Sequence, residues 1–215
     1  MTELIDIYDA NLNLLGSELS LIVHQEGLWH ITFHLWLVSA NDGGKVLYQL
    51  RAKNLDNYPD ILDASAAGHL QAGETISDGV REAVEELGVS IESTKLHSLG
   101  FRVEVSDEGH NYKNREYQAV HMALTELTLD DFNPDTKEVS GLYWIPIKEG
   151  IDLFTGKSDS VDCEGIYFDE STESWIKQKC NLSRKHFLPR IQQYYLTTHI
   201  MAERLLNGDA ALAIS

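Results

Sequence analysis

Cysteine is scarce in this sequence: only Cys163 and Cys180 occur in 215 residues. Two thiols so isolated from one another supply neither a disulfide framework nor a zinc ribbon. Basic residues are also few. Lys and Arg total 17 against 34 Asp and Glu, a formal net charge of −17. A surface of that sign repels nucleic-acid phosphates, which argues against general DNA or RNA binding. It repels small anions as well, so an enzyme acting on them needs a bound cation at its site. No run approaches the roughly 18 apolar residues of a membrane helix. The opening segment carries acidic residues where a secretory leader carries basic ones, and no apolar stretch follows. A cytoplasmic protein without a membrane partner is expected. Internal repeats, low-complexity tracts and dividing linkers are missing too, so residues 1–215 are expected to form one domain. What is there fits a globular chain: 43% hydrophobic and 24% charged residues exclude global disorder and a coiled-coil rod.

Residues 1–20 read as short strands around a turn at Asn11 to Gly16. Ile31, Phe33, Leu35 and Leu37 alternate with His30, Thr32, His34 and Trp36, a strand with two unlike faces. Asn41-Asp42-Gly43-Gly44 then predicts a hairpin into a return strand over 45–50. A glycine-punctuated loop over 68–76 leads to a helix of about 78–87, with Ser77 or Asp78 as cap and Gly88 at its end. Strands are expected at 96–105 and 116–125, joined by a polar loop, and at 142–147. Residues 148–182 read as an acidic loop, and a C-terminal helical extension is expected over about 183–207. That helix either completes the core or pairs with a second copy in a homodimer.

The chemistry concentrates between Gly68 and Val89. Glu82, Glu85 and Glu86 stand at i, i+3 and i+4, which on a helix puts three carboxylates on one face. Like charges at that spacing repel, unless a divalent cation turns repulsion into coordination. Oxygen-only ligands favour Mg²⁺ or Mn²⁺ over zinc. Arg81 is placed to brace one of these carboxylates or Glu74. Gly68 and Gly73 let the loop fold closely onto the helix, so that a carbonyl at Gly68 can join the coordination shell. The alternative is a solvated acidic helix.

This stretch resembles the signature of the Nudix hydrolases, G-x5-E-x7-R-E-U-x-E-E-x-G-U, with U a bulky apolar residue. Gly68, Glu74, Arg81, Glu82, Glu85, Glu86, Gly88 and Val89 take its positions. Six residues instead of seven separate Glu74 from Arg81, and the first U is the small Ala83. The resemblance implies an α/β fold, an α/β/α sandwich with a central mixed sheet. It also implies Mg²⁺- or Mn²⁺-dependent attack of water on phosphorus in a diphosphate linked to a second group, X, as in a nucleoside-diphosphate-type metabolite. Glu82 and Glu86 then hold metal, and Glu85 is a further ligand or a base. Arg51, Lys53 and Arg102 are candidate basic groups for the substrate, against the plainer reading of surface charges. His69, next to Gly68, is placed to contact it.

Flanking residues resemble the isopentenyl-diphosphate isomerase branch: Val23-His24 through Trp29-His30, Leu50-Arg51-Ala52, and Asp63 through His69. That resemblance implies a second metal site, with His24, His30 and His69 matching its three histidines and Glu116 one of its two glutamates. Ala67 stands where the isomerase has its cysteine, and Asn114 where it has the other glutamate. Alanine cannot transfer a proton. A hydrolase on this branch, with Glu116 as an additional base, is therefore the expected activity. An isomerase is one alternative, and a diphosphate-binding module without turnover is another. Intact Arg81, Glu82, Glu85 and Glu86 count against the module. His34, His97, His121 and His186 are expected to be structural.

Overall fold

A computed structural model describes residues 3–108, 112–190 and 192–214. The first two strands, β1 (Leu4–Tyr8) and β2 (Leu14–Leu19), are antiparallel. Their turn is pinned by Asp9, whose Oδ1 accepts the amide hydrogens of Asn11 and Asn13 at 2.8 and 2.9 Å. Helix α1 (Ser20–Glu26) stops at Gly27, whose φ of 71° is open to glycine at little cost. The chain then enters β3 (Trp29–Ser39), which is buried on both faces beyond Trp29. Next come β4 (Lys45–Arg51), β5 (Leu62–Asp63) and β6 (Ala66–His69), then helix α2 (Arg81–Leu87). They are followed by β7 (His97–Glu108), β8 (Tyr112–Leu124), β9 (Val139–Pro146) and α3 (Ile147–Thr155). The last elements are β10 (Val161–Asp169), β11 (Ser174–Leu182) and α4 (Tyr194–Leu206).

The main path of the sheet runs β11-β10-β9-β4-β3-β1-β2, with β5 on β4, β6 and β8 on β3, and β7 on β8. β3 and β8 are parallel, in register from His30 opposite Glu116 to Val38 opposite Leu124. Since the neighbouring pairs are antiparallel, the sheet is mixed, as expected. Phe33, Leu35 and Leu37 pack with Ala83 and Leu87 of α2 on one face. Trp36 and Val38 pack with Tyr194, Met201 and Leu205 of α4 on the other. Two apolar layers thus cover the sheet, which makes the α/β/α sandwich. No helix among the described residues is long and apolar enough to cross a membrane.

Three expectations about elements are corrected. Residues 148–182 are not an acidic loop: they hold most of α3 and the β10–β11 hairpin. Buried Val161 and Cys163 alternate with exposed Asp162 and Glu164, a period-2 signal masked by the density of acidic residues. The C-terminal helix begins at Tyr194, not near 183. Before it, Leu188 donates its N–H to the Leu62 carbonyl at 2.9 Å, so an extended arm lies along β5. Pro189 cannot continue a helix there. The polar loop expected between strands at 96–105 and 116–125 is largely strand, since β7 runs to Glu108 and β8 starts at Tyr112. Residues 109–111 of that loop lie outside the described residues. The two cysteines, 17 residues apart, face each other across β10 and β11 with their sulfurs 2.9 Å apart.

Helix α4 is keyed onto α3 by His199. Its Nε2 meets the Tyr48 hydroxyl at 3.0 Å and its Nδ1 the Ile147 carbonyl at 3.2 Å. A Cβ on Gly150 would stand 2.2 Å from the ring. Burial pushes the His199 pKa down to about 4. The unfolded chain takes up this proton near the ordinary 6.5 and the folded chain does not. The resulting stability is complete above about pH 6.5 and is lost as pH falls toward 4. Between pH 7 and pH 5 the wild type should lose about 2 kcal/mol more unfolding free energy than His199→Gln. Denaturant titrations at the two pH values check this, and equal losses would mean that His199 is not held neutral.

Candidate functional site

Helix α2 brings the acidic cluster together, but not as one open face. Glu82 and Glu86, one turn apart, are turned inward at 7% and 8% exposure. The side chain of Glu85 is 56% exposed at the rim. Residues 76–80 precede the helix as a tight 3-10 turn, capped by Thr75 with Asp78 rather than by Ser77. Gly68 on β6 explains how Glu82 fits inside: a Cβ there would lie 2.2 Å from the Glu82 carboxylate. Glycine lets the carboxylate rest on bare backbone. Glu86 Oε2 accepts the Ala67 N–H at 2.9 Å and the Gln49 side-chain amide at 3.3 Å.

Arg81 braces this cluster. Its guanidinium donates to Glu74 Oε1 at 2.8 Å, to Glu82 Oε1 at 2.8 Å, to Glu85 Oε2 at 3.0 Å and to the His69 carbonyl at 2.8 Å. The missing residue between Glu74 and Arg81 therefore does not separate them. Arg81 is nevertheless the only cation among these contacts, and it is shared by Glu74, Glu82 and Glu85, with Glu3 at 3.9 Å as a fourth carboxylate. Burial pushes the Glu82 carboxyl up to about 7, with Arg81 opposing it only in part. Burial, then the neighbouring Glu82, pushes Glu86 well above the usual carboxylate range. Two inward, undercompensated carboxylates on oxygen-only donors fit a hard divalent cation such as Mg²⁺ or Mn²⁺.

A second cluster lies on the other side of β6. His24 from α1, His30 from β3 and His69 from β6 present ligand atoms within 4.8 Å of one another. His24 Nε2 and His69 Nε2 are 3.2 Å apart. The Nδ1 of His30 is engaged by the Leu28 carbonyl at 3.0 Å and that of His69 by the Glu3 carboxylate at 3.0 Å. Such backing fixes ring orientation and leaves Nε2 to a metal. The fully buried His30 Nε2 has no hydrogen-bond partner among the described residues. Glu116 Oε1 is 3.9 Å from that nitrogen, and the Asn114 amide oxygen on the same strand is buried without a partner. Burial, then the adjacent rings, pushes His24 down to about 4, and burial lowers His30. Glu116 is held down at about 2 despite its burial, chiefly by His30 and His34. Against burial, the Glu3 carboxylate raises His69. Three imidazoles, two of them held neutral by burial, beside an ionised carboxylate form a donor set suited to a borderline transition metal.

The two clusters meet at adjacent residues, Gly68 and His69. Both residues, with Glu116, line a cavity of about 360 Å³. Arg51 also lines it, but its guanidinium is tied to the carbonyls of Tyr58 and Asn57 at 3.1 and 3.0 Å. Lys53 is exposed and outside the lining. Arg102, 1% exposed, is not part of the lining either; it pairs with Glu104 and donates to Gln118 Oε1 at 2.6 Å. His34, on the strand face of His30, turns to the Tyr194 hydroxyl at 3.0 Å. Sequence reasoning missed Glu3, which reaches His69 and Arg81 from the N-terminal strand region. It also missed Arg190, bound through two hydrogen bonds to Asp63. No local pattern marks either residue.

The NUDIX domain model matches residues 30–161. An uncharacterised Nudix hydrolase of Clostridium acetobutylicum is 33% identical over 197 residues, 90% of this chain and 93% of that protein. An isopentenyl-diphosphate Delta-isomerase of Serratia proteamaculans is 31% identical over 106 residues, 49% of this chain and 58% of that protein. A crystal structure of a Deinococcus radiodurans protein has a TM-score of 0.53 at 20% identity, covering 72% of this chain and 90% of that one.

Proposed function

This chain belongs to the Nudix hydrolase family, on its isomerase-like branch, as a pyrophosphohydrolase acting on phosphorus-containing anhydrides; from that premise we propose a hydrolase that uses Mg²⁺ or Mn²⁺ to cleave the diphosphate of a small nucleoside-diphosphate-type metabolite by water attack at phosphorus. The observation that carries this reading is the inward pair of Glu82, packed against Gly68, and Glu86, bonded to the Ala67 N–H, both short of positive charge. These two carboxylates would hold the cation. When bound, the cation offsets phosphoryl charge and lowers the pKa of water. Arg81 fixes the positions of Glu82 and Glu85. Glu85, exposed at the rim, would serve as a further ligand or as the base that accepts a proton from the attacking water. His24, His30, His69 and Glu116 would hold a second ion, of Mn²⁺ or Zn²⁺ type. The net charge of −17 supports a small anionic metabolite brought in by cations rather than a nucleic acid.

Ala67 lines the cavity beside Gly68 and offers no acid or base for proton transfer at carbon. Turnover of diphosphate compounds in ¹⁸O-labelled water should therefore place the label on a phosphate-containing product. Isopentenyl diphosphate, followed by proton NMR, should show no allylic isomer. Label on the carbon of X, or isomerisation lost in Glu116→Gln, would overturn the reading.

A further inference from the structure

The cavity beside the two clusters has a polar floor. Across four strands, paired residues form one lateral row: His69 on β6, Thr32 on β3 and Gln118 on β8, which line the cavity, and Arg102 on β7, which does not but backs Gln118. Every member can form hydrogen bonds, where a sheet covered by a helical layer ordinarily presents apolar side chains. Most of the row is committed. The Gln118 amide accepts from Arg102 and donates to Glu116, each at 2.6 Å, and His69 is held by Glu3. Thr32 differs. It is 4% exposed and lines the cavity, and its hydroxyl has no hydrogen-bond partner among the described residues. A buried hydroxyl without a partner destabilises a fold, while valine would suit the same strand position. Nothing in the folding of β3 calls for the hydroxyl.

Beside the apolar Val105, Leu188 and Pro189, the rest of the lining carries a buried charged group. Arg190 is bound to Asp63, and its other nitrogen meets Glu104 at 3.0 Å; all three line the cavity. Arg190 belongs to the C-terminal arm, outside residues 30–161 that match the family model. A hydrocarbon chain placed here would bury these groups and the Thr32 hydroxyl against methylenes, with no bond in return. A hydroxyl-bearing group would give Thr32 both a donor and an acceptor, and about 360 Å³ has room for one of sugar size.

We propose that this cavity receives the X half of the substrate and that Thr32 determines specificity by hydrogen-bonding a hydroxyl of X, so that X is a sugar or ribose and not an isoprenoid chain. The inference rests on the diphosphate-hydrolase reading above and names its substrate class. It is tested by turnover and thermal shift with ADP-ribose, UDP-glucose, isopentenyl diphosphate and geranyl diphosphate, in the presence of Mn²⁺, for wild type and Thr32→Val. The wild type should hydrolyse and be stabilised by a sugar-bearing compound. Thr32→Val should lower kcat/KM for that compound about tenfold, the loss of one hydrogen bond. Its melting temperature should hold or rise, whereas loss of a structural hydroxyl would lower it. Equal or better turnover of prenyl diphosphates, or an unchanged kcat/KM in Thr32→Val, overturns the substrate class and leaves the hydrolase standing. Stabilisation by sugar diphosphates without turnover overturns the hydrolase and keeps the cavity's preference. Neither turnover nor stabilisation by any of the four overturns both.

Discussion

Glu86→Gln should lower kcat by a factor on the order of 10²–10³ while changing KM little. Glutamine matches glutamate in shape, and its amide oxygen can still accept the Ala67 N–H that Glu86 Oε2 now accepts at 2.9 Å. What disappears is a negative charge in a buried position one turn from Glu82. In metal-free protein that charge is a burden, because burial and Glu82 both oppose ionisation. The variant should therefore melt no lower than wild type without metal. Added Mg²⁺ or Mn²⁺ should raise the melting temperature of wild type and leave Glu86→Gln almost unmoved. The two readouts together separate loss of a ligand from loss of the fold. Equal metal-induced shifts in both proteins, or full activity in the variant, would remove Glu86 from the site.

The second large effect concerns the histidines. His30→Gln should weaken metal binding at the imidazole cluster by about 100-fold or more, since loss of a ligand should cost at least as much as loss of its supporting partner. His30 is fully buried and its Nε2 lacks a hydrogen-bond partner among the described residues, which leaves that nitrogen to an ion in the cluster. Wild type titrated with Co²⁺ should show two binding events, one altering the visible absorption as imidazole nitrogens enter the coordination sphere. In His30→Gln that event should be lost and the other, belonging to Glu82 and Glu86, kept. Turnover should fall as well, because Glu116, whose carboxylate lies 3.9 Å from the His30 ring, loses that neighbour and the ion they would share. Identical Co²⁺ titrations would mean that the three rings are only packed together.

How far the sequence reaches depends on how local the feature is. The segment from Gly68 to Val89 is legible because its carboxylates, its arginine and its glycines lie on one strand end, the loop after it and one short helix, where spacing along the chain becomes spacing in space. Even there only tertiary packing separates Glu85, at the rim, from Glu82 and Glu86, inside. The β3–β4 hairpin is legible for the same reason, since its turn residues and its alternation are contiguous. The β10–β11 hairpin obeys the same rule but is hidden: acidic residues on its exposed face resemble a loop in composition.

By itself, therefore, the sequence determined the alternation of β3, the helix with its carboxylates, the absence of a long apolar span and the need for a cation in so acidic a chain. Tertiary structure decided which distant residues share a site. Glu3 reaches His69, His24 meets His30, Arg190 crosses to Asp63, and Cys163 faces Cys180. Each of these pairings except Cys163 with Cys180 depends on contacts between different strands, helices and arms, and that last one on the register of a hairpin. Strand order and register are set by burial of the whole sheet between its two helical layers. No short window of residues contains that information, because the free energy that selects it comes from apolar surface gathered along the entire chain.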